Sequence, residues 1–286
     1  MEIIHHVGEE YFKSPKRFVR AFSDQTFPIW LHDHSFYEII IVTKGKGTHR
    51  ISNSSFTAVR GDVFVIPPTI PHSFHSIKNL EIQNILLKTS FVRERQHKSK
   101  NVPGYFQLME IEPFLRQNYN QSIFLHLNTI QLAELQQDIK FIEETHPLYH
   151  TDNMELQYLS AWKIIYYLSY LLYKQIHKSS NDTSNKKYET QILNTLEYIH
   201  QNFSNKMSID ELANRVFLSR ATFLRHFQAM CGCTPIQYIN AYRREKAMEM
   251  LELSTLSKTE IAHLCGFYDQ SHMKKCIEAG RSANTK

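Results

Sequence analysis

The 286-residue chain has no apolar run long enough to cross a bilayer. Its longest, Ala161 to Leu172, covers about a dozen residues, includes Lys163 and falls short of the roughly 20 that a spanning helix needs. The opening stretch, MEIIHHVGEE, offers no positive segment followed by an apolar run and a small-residue cleavage site. That argues against secretion and leaves the cytoplasm as the expected compartment. Cysteine is scarce: Cys231, Cys233, Cys265 and Cys276 all fall in the last 60 residues. A disulfide framework there would leave most of the chain unstapled, so they read as reduced thiols, and Cys-x-Cys without a second close pair lacks the usual structural-zinc spacing. Compositional extremes are missing too. At 42% hydrophobic, 21% charged and net +5, the chain is neither disordered nor fibrous, and no fixed-period solenoid repeat is present.

Three textures succeed one another. From about 18 to 92, short β-branched and aromatic runs (Tyr37–Val42, Thr48–Ile51, Val63–Ile66, Ile82–Leu87) are punctuated by Gly45, Gly47, Gly61 and Pro67–Pro68, an all-β signature. From about 129 to 177 the period lengthens. Ile130, Leu132, Leu135, Ile139 and Ile142, then Leu156, Leu159, Trp162, Ile165 and Leu168, recur at three- and four-residue steps and predict two amphipathic helices. Residues 178–187, KSSNDTSNKK, lack aliphatic and aromatic side chains and read as a flexible connector. Beyond it come helices with explicit start signals: Ser208 with Glu211, Thr234 with Pro235 and Gln237, and Ser257 with Glu260.

The helical region contains a helix, short turn and helix twice. Ile209–Val216 is followed by Phe217-Leu218 and a second helix capped by Ser219. In that helix Phe223, Phe227 and Met230 share an inward stripe, leaving Arg220, Ala221, Leu224 and Arg225 outward near its start, where a recognition helix meets base edges. The pattern returns with Lys258–Leu264, a turn through Cys265-Gly266-Phe267-Tyr268, and a helix capped by Asp269. This last helix carries Gln270, Ser271, His272, Lys274 and Lys275 outward, with Met273 and Ile277 as inward anchors. The intervening helix from Pro235, about 18 residues or roughly 27 Å long, would space the two units for successive major-groove segments of a duplex whose turn is about 34 Å. Between Arg215 and Lys246 stand six basic residues against one acid, a local positive field that fits a polyanion.

Ser208-Ile209-Asp210-Glu211-Leu212-Ala213, Leu218-Ser219, Phe223, Phe227, Thr234-Pro235, Tyr238, Arg243, Ala247, Leu251, Ile261-Ala262 and Gly266-Phe267 resemble the signature of AraC/XylS-family transcription regulators over roughly 190–277. The resemblance implies a bihelical DNA-binding domain. By position it suggests Arg220, Ala221, Leu224, Arg225, Gln270, Ser271, His272 and Lys274 as DNA-binding residues. The end departs from the family pattern: Met273 stands where an aromatic is usual, Glu278 where a basic residue is usual, and no G-x-(T/S)-P-x-x-(Y/F)-R tail follows. The departure predicts a poorly packed last helix.

In the β-region, His32, His34, Phe36 and Glu38 fall on one face of an alternating strand. The spacings H-x-H-x3-E-x6-G, ending at Gly45, and G-x5-P-x4-H, from Gly61 to His72, resemble the two motifs of the cupin barrel superfamily. Thr69 replaces a glycine of the second motif and Ser76 an asparagine. In metal-binding cupins the positions of His32, His34, Glu38 and His72 hold a divalent first-row ion, and imidazole with carboxylate suits such an ion. The sensor domains of AraC-like regulators are similar and use the interior for a small effector such as a sugar. On that reading His32, His34, Phe36, Glu38 and His72 are effector-binding, with Trp30, Tyr37, Phe64 and Phe74 as candidate walls of the pocket.

The sequence thus predicts an α+β multidomain chain. A cupin-like effector-binding β-barrel would occupy 1–128, a helical dimerisation or cover segment 129–177, a linker 178–187 and a double helix-turn-helix domain 188–286. The expected function is that of a ligand-responsive, sequence-specific DNA-binding transcription regulator, an activator and homodimer, with promoter DNA, a small effector and RNA polymerase as partners. No catalytic residue and no required cofactor are assigned. Two alternatives stay open: a cupin metalloenzyme with an accessory helical domain, and a regulator gated by a protein partner.

Overall fold

The computed structural model describes residues 3–12, 17–25, 29–99, 101–143, 154–179 and 184–283. The chain divides into two compact units, Met1–Lys178 and Ser179–Lys286. The first is built on eight strands: β1 (Ile4–His6), β2 (Val19–Asp24), β3 (Ile29–His34), β4 (Tyr37–Ile51), β5 (Ser54–Val59), β6 (Asp62–Ile66), β7 (His72–Leu87) and β8 (Leu125–His126). Their hydrogen-bonded path runs β1-β3-β7-β4-β6-β8, with β2 also on β7 and β5 also on β4. All pairs are antiparallel except β1 with β3.

β4 and β7 are continuous over 15 and 16 residues, where the sequence predicts breaks. The glycines bend the sheet instead of ending it. Register shifts between Val42 and Thr48 mark bulges, and Gly45, at φ +69°, passes so close to β7 that a Cβ would lie 2.0 Å from the Asn79 carbonyl oxygen. Ile40, Val42, Ile51, Phe64, Ile66, Phe74, Leu80 and Ile82 pack inside the bend.

Helices flank this sheet: α1 (Gly8–Phe12), α2 (Thr89–Ser99), α3 (Glu112–Tyr119), α4 (Thr129–Ile142) and α5 (Met154–Ser179). A π-turn, Gln107–Ile111, runs directly into α3. Among the described residues β6 pairs with β8 only through Asp62 and Val63. Beyond that point the Arg116 Nη2 donates to the Val65 carbonyl at 2.5 Å, while its Nε lies 3.1 Å from the equally buried Glu112. Two predicted helices are present as α4 and α5, with one adjustment. Leu132, Leu135, Ile139 and Ile142 are buried, as are Trp162, Ile165 and Leu168, whereas Ile130, Leu156 and Leu159 in the opening turns are exposed. Helix ends reach past the core they pack on, so the apolar stripe outlasts its partner.

The expected connector at 178–187 is partly helical: α5 includes Lys178 and Ser179, and α6 (Ser184–Asn202) begins inside it. Ser, Asn and Lys cost a helix less than about 1 kcal/mol each, which adjoining amphipathic turns override. Residues 180–183 lie outside the described set. The second unit continues with α7 (Ile209–Arg215), α8 (Arg220–Cys231), α9 (Pro235–Leu253), α10 (Lys258–Leu264) and α11 (Gln270–Ala283). A β-rich first unit with a helical second unit is the mixed α+β architecture the sequence implies.

Candidate ligand cavity and nucleic-acid interface

His32 on β3 stands in register with His72 on β7. The chain leaves β3 after His34, turns through Ser35 and Phe36, and places Glu38 on β4. The four groups therefore converge from three strands, not from one alternating face as the spacing suggested, because the turn breaks the strand. Glu38 Oε2 lies 3.2 Å from His34 Nε2 and 3.1 Å from His72 Nε2. Ligand atoms of His32, Glu38 and His72 all fall within 4.8 Å of one another. Thr69 donates its backbone N–H to the His34 carbonyl, and it does so at φ +64°. Ser76 is also left-handed, at φ +52°, so both positions where the motif carries other residues keep a conformation that glycine and asparagine adopt readily.

The proton positions follow from the acceptors. Nδ1 of His32, His34 and His72 lies 2.8, 2.7 and 3.1 Å from the backbone carbonyls of Trp30, Phe36 and Ile70. Since a carbonyl only accepts, each Nδ1 carries a proton and each Nε2 is left to its own lone pair. Two such lone pairs facing one carboxylate oxygen require positive charge between them, either a proton on each ring or a metal ion. Ligand distances of about 2.0–2.2 Å put neighbouring donors about 3–3.5 Å apart, the spacing of Glu38 Oε2 from the His34 and His72 Nε2 atoms, while His32 stands within 4.8 Å of Glu38 and His72. Anchoring of the far ring nitrogen on a carbonyl is also the usual support of a metal-binding histidine. The donor set therefore fits a divalent ion.

Burial would raise the Glu38 carboxyl, but the hydrogen bonds to His34 and His72 outweigh it and hold the group well below the usual range. Burial, with the neighbouring His72, depresses His32 to about 4, and burial lowers His6 as well. Around these groups opens a cavity of about 290 Å³. All five residues predicted to bind effector line it, and Trp30 and Phe74 do as well. Tyr37 and Phe64 are not among its walls; Phe64 is packed behind them against His49 and Arg116.

His6, Tyr11, Asp24 and Asn84 also reach the cavity and were missed. Asn84 alternates with Ile82 and Leu86 on β7, a period-two signal that could have revealed it. His6 and Tyr11 arrive through the pairing of β1 with β3, which no local pattern encodes. His49 was missed as well. It is fully buried, stacks on Phe74 at 4.1 Å and has no hydrogen-bond partner on either nitrogen among the described residues. Burial, with the neighbouring His72 and Arg116, holds it neutral, with a pKa well below the ordinary histidine value.

In the second unit Ser208, Ser219, Thr234 and Ser257 accept from the N3 amides, and Asp269 accepts from His272 N; Gln237 and Glu260 complete capping boxes, whereas Glu211 accepts from the Tyr198 hydroxyl and leaves the predicted Ser208 box half made. α8 buries Phe223, Phe227 and Cys231, not Met230, because a strict four-residue step continues the stripe. α11 packs well despite its unusual end. Met273 is buried and Cys276 and Ile277 are partly buried against Ala247, Ile261, Ala262, Cys265 and Phe267, so side chains three and four apart replace the missing aromatic. The thiols of Cys231, Cys233 and Cys265 are buried, and desolvation pushes Cys265 up to about 11.

Of the residues assigned to DNA, Arg220, Ala221, Arg225, Gln270, Ser271, His272 and Lys274 are exposed and Leu224 is half-buried. Several basic groups already have partners. Arg220 bridges to Asp210, Arg225 Nη2 contacts His226 Nε2 at 3.3 Å, and Arg215 stacks on Tyr198 at 3.8 Å. Arg243 donates to the carbonyls of Phe203 and Asn205, both at 2.7 Å. It therefore braces the end of α6, and two of its donors are committed to the backbone while its charge remains. α9 runs 19 residues, about 28 Å.

A β-rich unit with a lined cavity and a helical unit with two capped helix-turn-helix pairs define a ligand-responsive DNA-binding regulator. The family comparisons agree: an AraC-like ligand binding domain model matches residues 17–149, and a helix-turn-helix domain model matches residues 212–279. The chain belongs to the AraC family of transcription regulators. It is similar to the HTH-type transcriptional activator RhaS of Escherichia coli strain SMS-3-5, at 25% identity over 84% of this chain and 80% of that protein. RhaS of Salmonella heidelberg strain SL476 is 26% identical over 95% of this chain and 91% of its own. Among solved structures, fatty acid-bound ToxT of Vibrio cholerae is 12% identical, covers 91% of this chain and 90% of its own, and has a TM-score of 0.35.

Proposed function

We propose that the first unit binds a small, neutral, polyhydroxylated effector such as a sugar, and that its occupancy changes promoter binding by the second. One observation carries the reading. Imidazole, carboxylate and amide groups converge with aromatic faces around a cavity of about 290 Å³, at the small end of ligand sites. His32, His34, Phe36, Glu38 and His72 are the effector contacts; the exposed residues of α8 and α11 are the DNA contacts. The protein activates transcription from the cytoplasm as a homodimer held through 129–177, and it recruits RNA polymerase; similarity to activators named RhaS supports activation. It performs no catalysis. Effector shifts the population only by binding the DNA-competent arrangement more tightly.

The test is selection of genomic DNA fragments by the full-length protein, followed by melting and gel-shift titrations with sugars and polyols. A ligand at 100 times its Kd adds about 2.7 kcal/mol of stability. Failure of every such compound to raise the melting temperature would redirect the reading to a protein partner.

A second reading is supported by the anchored imidazoles: His32, Glu38 and His72, with His34 beside them, hold a divalent first-row ion. Such an ion would supply a Lewis-acidic contact for an effector oxygen. Elemental analysis of purified protein should then give about one metal per chain, lost in His72→Ala. Absence of metal at saturating manganese, nickel or zinc would leave protons as the bridging charge.

A further inference from the structure

The two helix-turn-helix units share a contact that the DNA-binding assignment does not use. Asp210, the second residue of α7, accepts from Arg220 Nη1 through both carboxylate oxygens, at 2.8 and 2.7 Å. Arg220 is the first residue of α8. In the other unit Thr259, the second residue of α10, donates its hydroxyl to Oε1 of Gln270, the first residue of α11, at 3.4 Å. The same two places in the repeat are thus tied by an ionic bond in one unit and a neutral one in the other.

Stability is a weak reason for the first of these. Both partners are more than half exposed, and solvent screens such pairs until they add little to stability. Moreover, a carboxylate beside a phosphate-binding surface repels the polyanion. Its presence there makes sense if it controls what the arginine can do. With Nη1 held by Asp210, Nε and Nη2 have no partner among the described residues. Those two donors form the fork that fits guanine O6 and N7. An unheld arginine is free to swing to the nearest phosphate, which carries no sequence information.

We propose that Asp210 is a positioning residue that makes Arg220 a reader of guanine in the major groove. The proposal rests on the DNA-binding reading of the second unit. It differs from that reading in assigning specificity to an acid that touches no base.

The test is selection from random duplexes by the full-length protein, comparing wild type with Asp210→Ala, Asp210→Asn, Arg220→Ala and the Asp210→Ala/Arg220→Ala double variant. A melting curve for each reports folding. A bidentate arginine discriminates guanine by about 1–3 kcal/mol, roughly 5- to 150-fold. Arg220→Ala should abolish a guanine preference at one position of the half-site. Asp210→Ala should reduce preference at that same position about 10-fold, Asp210→Asn should lie between it and wild type, and the double variant should be no worse than Arg220→Ala. A helix-stabilising role for Asp210 would shift the melting temperature without changing the base profile. An unchanged profile in folded Asp210→Ala overturns the proposal while leaving the DNA-binding reading intact. So does an Arg220→Ala variant that changes no position. Failure of the wild-type protein to select any sequence would overturn both.

Discussion

The two turns between paired helices offer a prediction with opposite signs at one backbone position. Phe217 donates its N–H to Asn214 O and the next residue, Leu218, to Ala213 O; Gly266 and Phe267 repeat these bonds to His263 O and Ala262 O. Phe217 and Gly266 therefore occupy the same place, and both are left-handed, at φ +56° and +76°. Their surroundings differ. A Cβ on Gly266 would lie 2.6 Å from Ser204 O and 2.9 Å from Phe203 O, whereas Phe217 is 93% exposed. Gly266→Ala meets about 1–2 kcal/mol of left-handed strain and a backbone clash that forces the α6–α7 turn to move, against about 0.5–1 kcal/mol gained from a less flexible unfolded chain. The expected loss is about 2–3 kcal/mol. Phe217→Gly relieves the same strain with little buried area lost, for a gain of up to about 1 kcal/mol. Urea unfolding followed by the far-ultraviolet signal of the helical unit measures both. Two changes of like sign, or a Gly266→Ala variant as stable as wild type, would refute the reasoning.

Thr69→Gly, at φ +64° on an exposed β-branched residue, should stabilise the first unit by about 0.5–1 kcal/mol in denaturant unfolding; destabilisation would show that the threonine side chain has an unrecognised role. His49, depressed in the folded state and ordinary when unfolded, contributes stability that is fully present above about pH 6.5 and lost as pH falls, by about 1.4 kcal/mol per unit. His49→Phe should remove one histidine's share of that slope in melting temperature against pH, and an unaltered slope would contradict its buried neutral state. Burial raises Glu112 to about 7 despite Arg116 beside it, so its contribution is complete below about pH 4.5 and lost as pH rises through 7. Arg116→Met should therefore cost about 3–5 kcal/mol at pH 8 and less at pH 5, and equal losses at both would rule out a charged Glu112 as the cause.

Motifs with local physics were legible in the sequence. Ser208, Thr234, Ser257 and Asp269 announced helix starts because a cap bond spans only three residues, and those starts located both helix-turn-helix units. Two-residue alternation put His32 and His34 together, although the turn at Ser35 and Phe36 meant that Glu38 joined them from another strand. Contacts made only by the folded sheet were not legible. His6 reaches the cavity through a parallel pairing of three residues, and His49 is hidden by its register opposite Phe74. The partners of Arg220 and Arg243 were equally unreadable, since a count of charges does not say which of them an acid or a carbonyl already holds.

The guanidinium on the Val65 carbonyl stands where another strand's amide would otherwise be. A side chain cannot be extended as a ladder can, so that rim offers an incoming polypeptide nothing to zip onto. Val65 and Arg116 are themselves buried, so the segment carrying α3 covers this edge and keeps it from pairing with another molecule.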